Sequence, residues 1–384
     1  MKLASSERGS AEWDQDQNGS HNPMRATQRL KGVFAWIFGC FLSYGISAEA
    51  LPQAPLPPLP QPLANNAIAR LEIVGRYRLY SFMGIGPGLT AHDISRAAYE
   101  FDADSGRWHV LPPVPGSPRL ASVAVGVGRY IYLFGGYTVA ANGEELSTPE
   151  VWRFDPLQRR YEPSIAMPVP VDDSVALPWR DRYIVLISGW RNDANVADVQ
   201  FYDTRADRWI KGTPFPGKPV FGHAAGILED HIVQCGGVFV DGMRDGKRQY
   251  KMSEECWLGY LSETEIGKVQ WRQIPVMPGG TRYRAGATGS QLRGRHIVFA
   301  GGSHRAYNYN GIGYDGLPSE PIASVMAFNL RNQNWEQWGD LPTPTMDHRG
   351  LLELNGGFVS IGGMEAGQKV TPVVRRFIPP IKHR

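Results

Sequence analysis

Short apolar runs that end in a glycine or a glycine pair recur along most of the chain. The clearest, at residues 130–136, reads YIYLFGG. Similar runs lie at 183–189, 231–237, 296–302 and 358–363, with a degenerate copy, YRLYSFMGIG, at 77–86. Runs this short, rich in β-branched and aromatic residues and bounded by glycine, predict buried β-strands rather than helices.

Two further elements accompany five of the six apolar runs. The first is an aromatic strand followed by a turn and then Trp or Tyr, and its copies lie at 99–108, 152–161, 201–209, 257–271 and 328–335. The second is a proline-rich turn, with copies at 111–115, 167–170, 214–216, 275–278 and 341–344. A chain of short strands and turns repeated in this order predicts an all-β fold.

The repeat predicts a six-bladed β-propeller of the kelch type, built from four-stranded antiparallel blades. Six copies recur at a spacing of about fifty to sixty-odd residues, which is typical of kelch blades. The last copy lacks its fourth strand and its proline turn, whereas residues 56–60 carry LPPLP. We therefore expect residues 51–62 to supply the missing outer strand, so that N- and C-terminal strands close the ring. A free proline-rich linker is the alternative.

The first fifty residues are typical of a polar extension followed by a signal peptide. After a polar stretch at 1–23, Met24 is a plausible start, and basic residues precede an apolar run at 33–44. A small-residue pattern then ends at Ala50, which predicts cleavage near that residue and a periplasmic or secreted protein. An uncleaved anchor and lipidation of Cys40 are the alternatives. Residues 51–384 are predicted to form a single propeller.

Composition narrows the function. The net charge is only +3 and no basic tract is present, so nucleic acid is not an expected partner. The 9 histidines and 3 cysteines form no metal-binding spacing, so no metal or other cofactor is expected. No second apolar stretch is long enough for stable membrane insertion after signal cleavage. Cys235 and Cys256 fall at facing places of a predicted hairpin, which suits a disulfide or two buried thiols.

Polar residues mark the start of each predicted innermost strand. Because innermost strands line the central channel of a propeller, we expect these residues to converge near one mouth. Three arginines there suit a ligand carboxylate: Arg119, Arg284 and Arg349. Three further residues are candidates for acid–base work: His223, Asp173 and Glu365. The alternative is that the arginines only tie neighbouring blades together through hydrogen bonds.

Two long loops, at 238–255 and 303–321, connect the second and third strands of the fourth and fifth blades. They are therefore expected on the same face of the propeller. The second loop is rich in Tyr, Asn and Gly, and its Tyr307, Tyr309 and Asn310 suit stacking on and hydrogen bonding to a sugar. A solvated, variable loop is the alternative.

These motifs resemble the kelch superfamily and, within it, the bacterial sialic acid mutarotases (N-acetylneuraminate epimerases). The segments that carry the resemblance are 118–119, 132–136, 299–302, 308–311, 349 and 362–365. The resemblance implies an exported, cofactor-free, six-bladed enzyme that interconverts sialic acid anomers. In that family a catalytic glutamate directly follows the glycine that ends the second strand of the fourth blade, and Gly237 stands there. The resemblance also aligns Arg244 with a family arginine. The residue cluster of the copper-dependent galactose oxidases, another branch of the superfamily, is not found.

Two functions are therefore compatible with the sequence. The first is binding of a small polar ligand, a sugar acid, with sialic acid mutarotase-like activity as its catalytic form. The alternative is a non-catalytic module that binds a protein or glycan through the long loops of blades four and five. Whether the protein is an enzyme is left open. An enzyme of this kind would be a cofactor-free mutarotase or epimerase, an isomerase.

Overall fold

The computed structural model describes residues 56–380. Their regular secondary structure consists of β-strands, joined by turns and loops, and of two short 3-10 turns, Ala91–Asp93 and Ala366–Gln368. Within this part of the chain no helix has the length and apolar character needed to cross a membrane. The predicted signal peptide, its cleavage site and residues 51–55 lie outside the described residues.

The first three blades are antiparallel four-stranded sheets, with sheet orders β1-β2-β3-β4, β5-β6-β9-β10 and β11-β12-β15-β16. Two small hairpins, β7–β8 and β13–β14, extend the loops of blades two and three. The strands are β1 (Ala67–Ile73), β2 (Arg76–Ile85), β3 (Ile94–Asp102), β4 (Arg107–Leu111), β5 (Val123–Val127), β6 (Tyr130–Phe134), β7 (Tyr137–Val139), β8 (Glu145–Ser147), β9 (Val151–Asp155), β10 (Arg160–Ser164), β11 (Ala176–Trp179), β12 (Tyr183–Ile187), β13 (Trp190–Arg191), β14 (Ala194–Asn195), β15 (Val199–Asp203) and β16 (Arg208–Lys211).

Blades four and five repeat the plan as β17-β18-β21-β22 and β23-β24-β25-β26, and blade six contains β27-β28-β31. Hairpins β19–β20 and β29–β30 extend the loops of blades four and six. These strands are β17 (Ala224–Leu228), β18 (His231–Cys235), β19 (Val238–Arg244), β20 (Lys247–Met252), β21 (Cys256–Leu261), β22 (Val269–Ile274), β23 (Gly286–Ser290), β24 (His296–Ala300), β25 (Ser324–Asn329), β26 (Trp335–Asp340), β27 (Leu352–Leu354), β28 (Gly357–Ile361), β29 (Met364–Glu365), β30 (Lys369–Val370) and β31 (Val374–Phe377).

The N-terminal segment packs against the sixth blade at the place expected from the repeat. The amide of Leu59 donates to the carbonyl of Pro372 at 2.8 Å. In blade one the amide of Val114 makes the equivalent bond to the carbonyl of Arg96 at 3.0 Å, just after the fourth strand. Residues 56–60 therefore occupy the position of the proline turn. Residues 56–62 contain no β-strand, so the outer strand predicted for blade six is not found among the described residues, where this blade has three strands. The prediction of a six-bladed propeller is confirmed.

The core lies between neighbouring blades, as radial packing of sheets requires. The cluster between blades one and two joins Phe82 to Leu133 and Phe154, and each such buried side chain stabilises the fold by about 1.5–3 kcal/mol. Near the axis the innermost strands approach closely. A Cβ atom at Gly289 of blade five would lie 1.9 Å from the carbonyl oxygen of Ile227 in blade four, so only glycine fits there.

A disulfide joins Cys235 and Cys256, which are register partners on β18 and β21 with Cα atoms 4.2 Å apart. The 21-residue separation encloses the β19–β20 hairpin. The bond therefore closes the base of the loop that blade four sends towards the channel.

Candidate functional site: the central channel

Six residues in the left-handed backbone region form a ring around the channel, one just before each innermost strand. They are Asn65, Ala121, Asp173, Gly222, Arg284 and Asp347, with φ between 47° and 67°. Backbone hydrogen bonds link the ring: the amide of Gly222 donates to the carbonyl of Asp173, and the amide of Arg284 to that of Gly222, both at 2.7 Å. Left-handed φ is costly for non-glycine residues, so these inter-blade bonds hold the side chains in fixed positions.

A buried ion network spans the channel at this ring. Arg284 donates twice to Asp173, at 3.1 and 2.7 Å, and once to Asp347 at 3.1 Å. Arg349 also pairs with Asp173, and its Nε donates to the Oδ1 atom of Asn65 at 3.2 Å. The four charged side chains are at most 3% exposed.

The arginines control the ionisation of the two aspartates unequally. Burial by itself favours a raised pKa for Asp173, but Arg284 and Arg349 outweigh it and hold this pKa below its usual value. Burial raises the pKa of Asp347, and Arg284 only partly offsets the effect. Because two aspartates face two guanidinium groups, the formal charge of the network is balanced. Two of the three arginines predicted to hold a ligand carboxylate, Arg284 and Arg349, are therefore already paired within the protein.

Arg119 lies apart from this network. It donates to the Oγ1 atom of Thr148 and to Glu150, each at 3.1 Å, within its own blade. Leu120 forms an isolated β-bridge with Tyr137, and in blade five Tyr283 forms the equivalent bridge with Ser303. The residue before each bridge is Arg119 in blade two and Arg282 in blade five, so these two arginines are equivalent. The sequence alignment that placed it level with Arg284 was wrong by two residues. Arg119 lines neither channel cavity described below.

On the face that carries the long loops, the channel opens into a cavity of about 310 Å³, which we call the loop-face mouth. The rings of Tyr250 and Tyr314 stack there, with centroids 4.0 Å apart. Trp190 and Phe221 pack against each other beside them. The side chains that line the mouth come from blades two to five: Tyr137, Glu145, Asp172, Asp173, Trp190, Asn192, Asp193, Phe221, Arg248, Tyr250, Arg284, Asn308, Tyr309 and Tyr314.

Two carboxyl groups in the mouth lack an arginine partner. Burial, with the nearby charge of Asp173, raises the pKa of Asp172 well above its usual value, although Ser147 donates to it at 2.6 Å. Glu145 remains accessible from the mouth, yet desolvation by the surrounding protein also raises its pKa. Carboxyl groups with raised pKa values can exchange protons near neutral pH. Another acid of the mouth, Asp193, is paired with Arg248 at 2.9 Å.

On the other side of the ion network, a cavity of about 430 Å³ runs along the innermost strands; we call it the opposite chamber. His223 and Arg349 line it, whereas Asp173 and Arg284 line the mouth. Because Arg349 is bonded to Asp173, the network separates the two cavities. His223 is 4% exposed and neither ring nitrogen has a hydrogen-bond partner. Burial lowers the pKa of His223 to about 4.

The other predicted residues are placed as follows. Tyr309 lines the mouth. Tyr307 is fully buried, with its ring 5.0 Å from that of Tyr283. The Oδ1 atom of Asn310 accepts from the amide of Ile312 at 3.0 Å, which shapes its own loop. Of the three predicted residues of this loop, only Tyr309 therefore lines the mouth, and Tyr314 of the same loop, which was not among them, lines it as well.

Glu365 and Arg244 lie outside both cavities. Glu365 is bonded to Arg375 and lies 3.5 Å from the ammonium of Lys369. The Arg244 side chain is 80% exposed at the tip of the β19–β20 hairpin, and its Nε atom lies 3.9 Å from the carboxylate of Asp245. Neither residue is brought together with the predicted site.

Gly237 cannot readily be replaced by a larger residue. Its φ is +85°, and a Cβ atom there would lie 2.7 Å from the Cβ of His223 and 2.9 Å from the carbonyl of Phe221. The backbone at Gly237 therefore leaves no space for the glutamate side chain that the sequence resemblance would place there.

Comparison with known structures identifies the class of protein as a β-propeller. The structure of YjhT covers 86% of this chain and 98% of its own, with a TM-score of 0.67 and 16% identity, a level that shows the fold alone.

Comparison with curated proteins identifies the repeat. Kelch-like protein terF of Aspergillus terreus is 24% identical over 87% of this chain and 71% of its own length. Kelch-like protein 15 of Gallus gallus is 27% identical over 33% of this chain, and beta-scruin of Limulus polyphemus is 26% identical over 39%. This chain spans only 25% and 16% of those two proteins. No family model matches. With the six-bladed ring, these similarities make the chain a kelch-repeat β-propeller, as predicted.

Proposed function

We propose that the protein binds a small polyhydroxylated ligand, a sugar, in the loop-face mouth. The observation that carries this proposal is the combination of stacked aromatic rings, Tyr250 and Tyr314, with unpaired carboxyl groups in one cavity. Aromatic faces pack against the apolar C–H face of a sugar ring, while carboxylates accept hydrogen bonds from its hydroxyls. Such a cavity orients a small ligand by a few convergent polar groups.

The charges of the mouth favour a neutral sugar over the sugar acid expected from the sequence. Its lining includes four carboxyl groups and two guanidinium groups. Arg284 is neutralised by Asp173 and Asp347, and Arg248 by Asp193. A ligand carboxylate would therefore meet no uncompensated positive charge there.

The test is saturation-transfer difference NMR with neutral hexoses, N-acetylhexosamines and hexuronic acids. We expect transfer to neutral sugars and weaker transfer to the uronic acids. Tyr250→Ala should lower the affinity by about tenfold or more, equivalent to about 1.4 kcal/mol. Tyr260→Ala, which removes a 39% exposed tyrosine of the same blade, is the matched control and should bind normally. Equal binding by both variants, or no sugar signal at all, would contradict the proposal.

A cofactor-free mutarotase acting on a sugar is the catalytic form of this proposal. It is supported by the raised pKa values of Asp172 and Glu145, which suit proton exchange at the anomeric oxygens. In this form Asp172 and Glu145 take the roles that the sequence gave to His223 and Glu365. Gly237 in place of the family glutamate argues against the same chemistry as in the sialic acid mutarotases.

A proton NMR time course distinguishes catalysis from binding. Freshly dissolved α-glucose and crystalline N-acetylneuraminic acid are followed to anomeric equilibrium with and without the protein. Faster equilibration that Asp172→Asn abolishes and Asp193→Asn retains would support a mutarotase. An unchanged rate would leave a binding protein.

Binding of a protein or a larger glycan is the alternative for the same face. It is supported by exposed apolar side chains on the two long loops, Met243 and Leu317, at 65% and 55% exposure. Met243→Ser together with Leu317→Ser should then weaken binding to an immobilised partner while leaving sugar binding in the mouth intact. The opposite result would place recognition in the mouth.

We also propose that the chain is exported. The predicted signal peptide and the Cys235–Cys256 disulfide support an oxidising compartment. N-terminal sequencing of the protein from the extracytoplasmic fraction should begin near Leu51. An intact N-terminus in the cytoplasmic fraction, with free thiols, would contradict export.

A further inference from the structure

The opposite chamber contains a buried guanidinium group whose donors are not all used. The Arg349 side chain is 2% exposed, and its Nε and Nη1 atoms bond Asn65 and Asp173. Its Nη2 atom has no hydrogen-bond partner, and the Oδ1 atom of Asp347 lies 3.9 Å away, beyond hydrogen-bond distance. Because a buried donor without an acceptor is unfavourable, this nitrogen favours an added acceptor.

His223 presents a second unused donor to the same chamber. It lies on blade four, whereas Arg349 lies on blade six, and both line this cavity. Burial is the main cause of the lowered pKa of His223, and the positive charge of Arg349 contributes to it. At neutral pH the ring is uncharged and carries one N–H donor and one acceptor.

The rest of the opposite chamber leaves room for a ligand group. Its wall near these two residues is formed by small side chains such as those of Ser174, Ala224 and Ala285. The cavity then follows the innermost strands to their ends near Leu228 and Gln291. A small molecule can therefore approach the two donors from the face opposite the long loops.

We propose that the opposite chamber is a second ligand site, which binds the carboxylate of a small molecule through Arg349 and His223. A carboxylate has two coplanar oxygens, which suit donors placed on two different blades. The charge of Arg349 is already partly offset by Asp173, so a singly charged carboxylate fits better than a phosphate dianion. This site is separate from the loop-face mouth and does not depend on the function proposed there.

Binding at this site should be linked to protonation of His223. A neighbouring carboxylate favours the imidazolium form, so it raises the pKa of His223 from about 4. Affinity should therefore increase as the pH falls towards the pKa of His223 in the bound state, until the ligand itself becomes protonated. The charged or titratable residues that face His223 or line the chamber with it are Asp173, Arg349, Arg70, His348 and Glu353.

The experiment uses acetate as the probe and follows the imidazole resonances of His223 by ¹⁵N NMR. The resonances are assigned by their absence in His223→Gln. Titrations from pH 7.5 to 3 are compared in sodium acetate and in sodium chloride at equal ionic strength. We expect acetate to raise the midpoint of His223 by about one pH unit or more, as an opposite charge within a few ångströms does. Chloride should leave it near its starting value.

Two variants make the result specific. Arg349→Lys keeps a positive charge beside Asp173 but lacks the Nη2 donor, so we expect the acetate-induced shift to fall at least severalfold. Tyr250→Ala, in the loop-face mouth, should respond as the unmodified protein does. In the unmodified protein, equal His223 midpoints in acetate and in chloride would be enough to overturn the proposal. A full acetate response in Arg349→Lys would also overturn it.

Discussion

The buried ion network makes a quantitative prediction about Asp173. Asp173→Asn removes the carboxylate that pairs with both Arg284 and Arg349, each at 2% side-chain exposure. Removing one partner of a buried ion pair typically costs about 3–5 kcal/mol, because the remaining charge is left uncompensated. Here two guanidinium groups lose a partner, and Asp347 is the remaining acid in contact with them. We therefore expect a loss of about 4–5 kcal/mol in the free energy of unfolding.

The assay is urea unfolding at pH 7, followed by intrinsic fluorescence. The matched control is Asp193→Asn, which breaks the pair with Arg248; the Asp193 side chain is 91% exposed. Pairs of this kind contribute less than about 1 kcal/mol. If Asp173→Asn were no more destabilising than the control, the network would not be a buried, mutually dependent set of charges.

Three further predictions concern the scaffold around the channel. The free energy of unfolding should fall as the pH is lowered from about 6.5 towards 4, because the unfolded chain protonates its histidines near pH 6.5, whereas buried His223 is protonated in the folded protein only near pH 4. Denaturation curves at several pH values should show a weaker pH dependence of this free energy in His223→Gln. An unchanged pH dependence in that variant would refute the prediction. Reduction of the disulfide, or Cys235→Ser with Cys256→Ser, should lower the free energy of unfolding by about 2–4 kcal/mol. The measurement is urea unfolding with and without dithiothreitol, and no effect of the reductant on the unmodified protein would show that the bond is not formed. Gly237→Ala should lower the thermal unfolding midpoint clearly more than Gly246→Ala does. Both glycines have positive φ, but a Cβ at Gly246 would contact nothing within 4 Å. Equal decreases in the midpoint would show that the close contact with His223 does not determine the stability of Gly237→Ala.

The fold could be predicted in detail because each blade leaves the same trace in the sequence. The glycine pairs, the aromatic strands and the proline turns follow from the way blades pack, and they fixed the number of blades. Even the role of Leu59 was predictable, since the proline turn missing from blade six is present at residues 56–60.

The site was predicted less completely, for identifiable reasons. The repeat places Asp173, His223, Arg284 and Arg349 at the channel, and the structure brings them there. It divides them between two cavities, however, because Asp173 and Arg284 belong to the left-handed ring, whereas His223 and Arg349 follow the ring residues Gly222 and Asp347 by one and two positions. The pairing of Arg284 with Asp347 across 63 residues is a tertiary contact with no local signal.

The loops were the least predictable part. Loop length singled out blades four and five. The stacking of Tyr250 on Tyr314 was not predictable, because it requires the β19–β20 hairpin of blade four and the long loop of blade five to extend over the same opening. Glu145 and Trp190 lie in loops of blades two and three that the sequence period does not mark. Loops do not follow the repeat, so their side-chain positions cannot be inferred from it.

The location of ligand binding is best tested by a crystal structure of the protein soaked with the sugar that gives the largest saturation-transfer signal. We predict sugar density in the loop-face mouth, against the rings of Tyr250 and Tyr314 and within hydrogen-bond reach of Glu145 or Asp172. Density in the opposite chamber or on the outer surface of the blades, with an empty mouth, would contradict the proposed function.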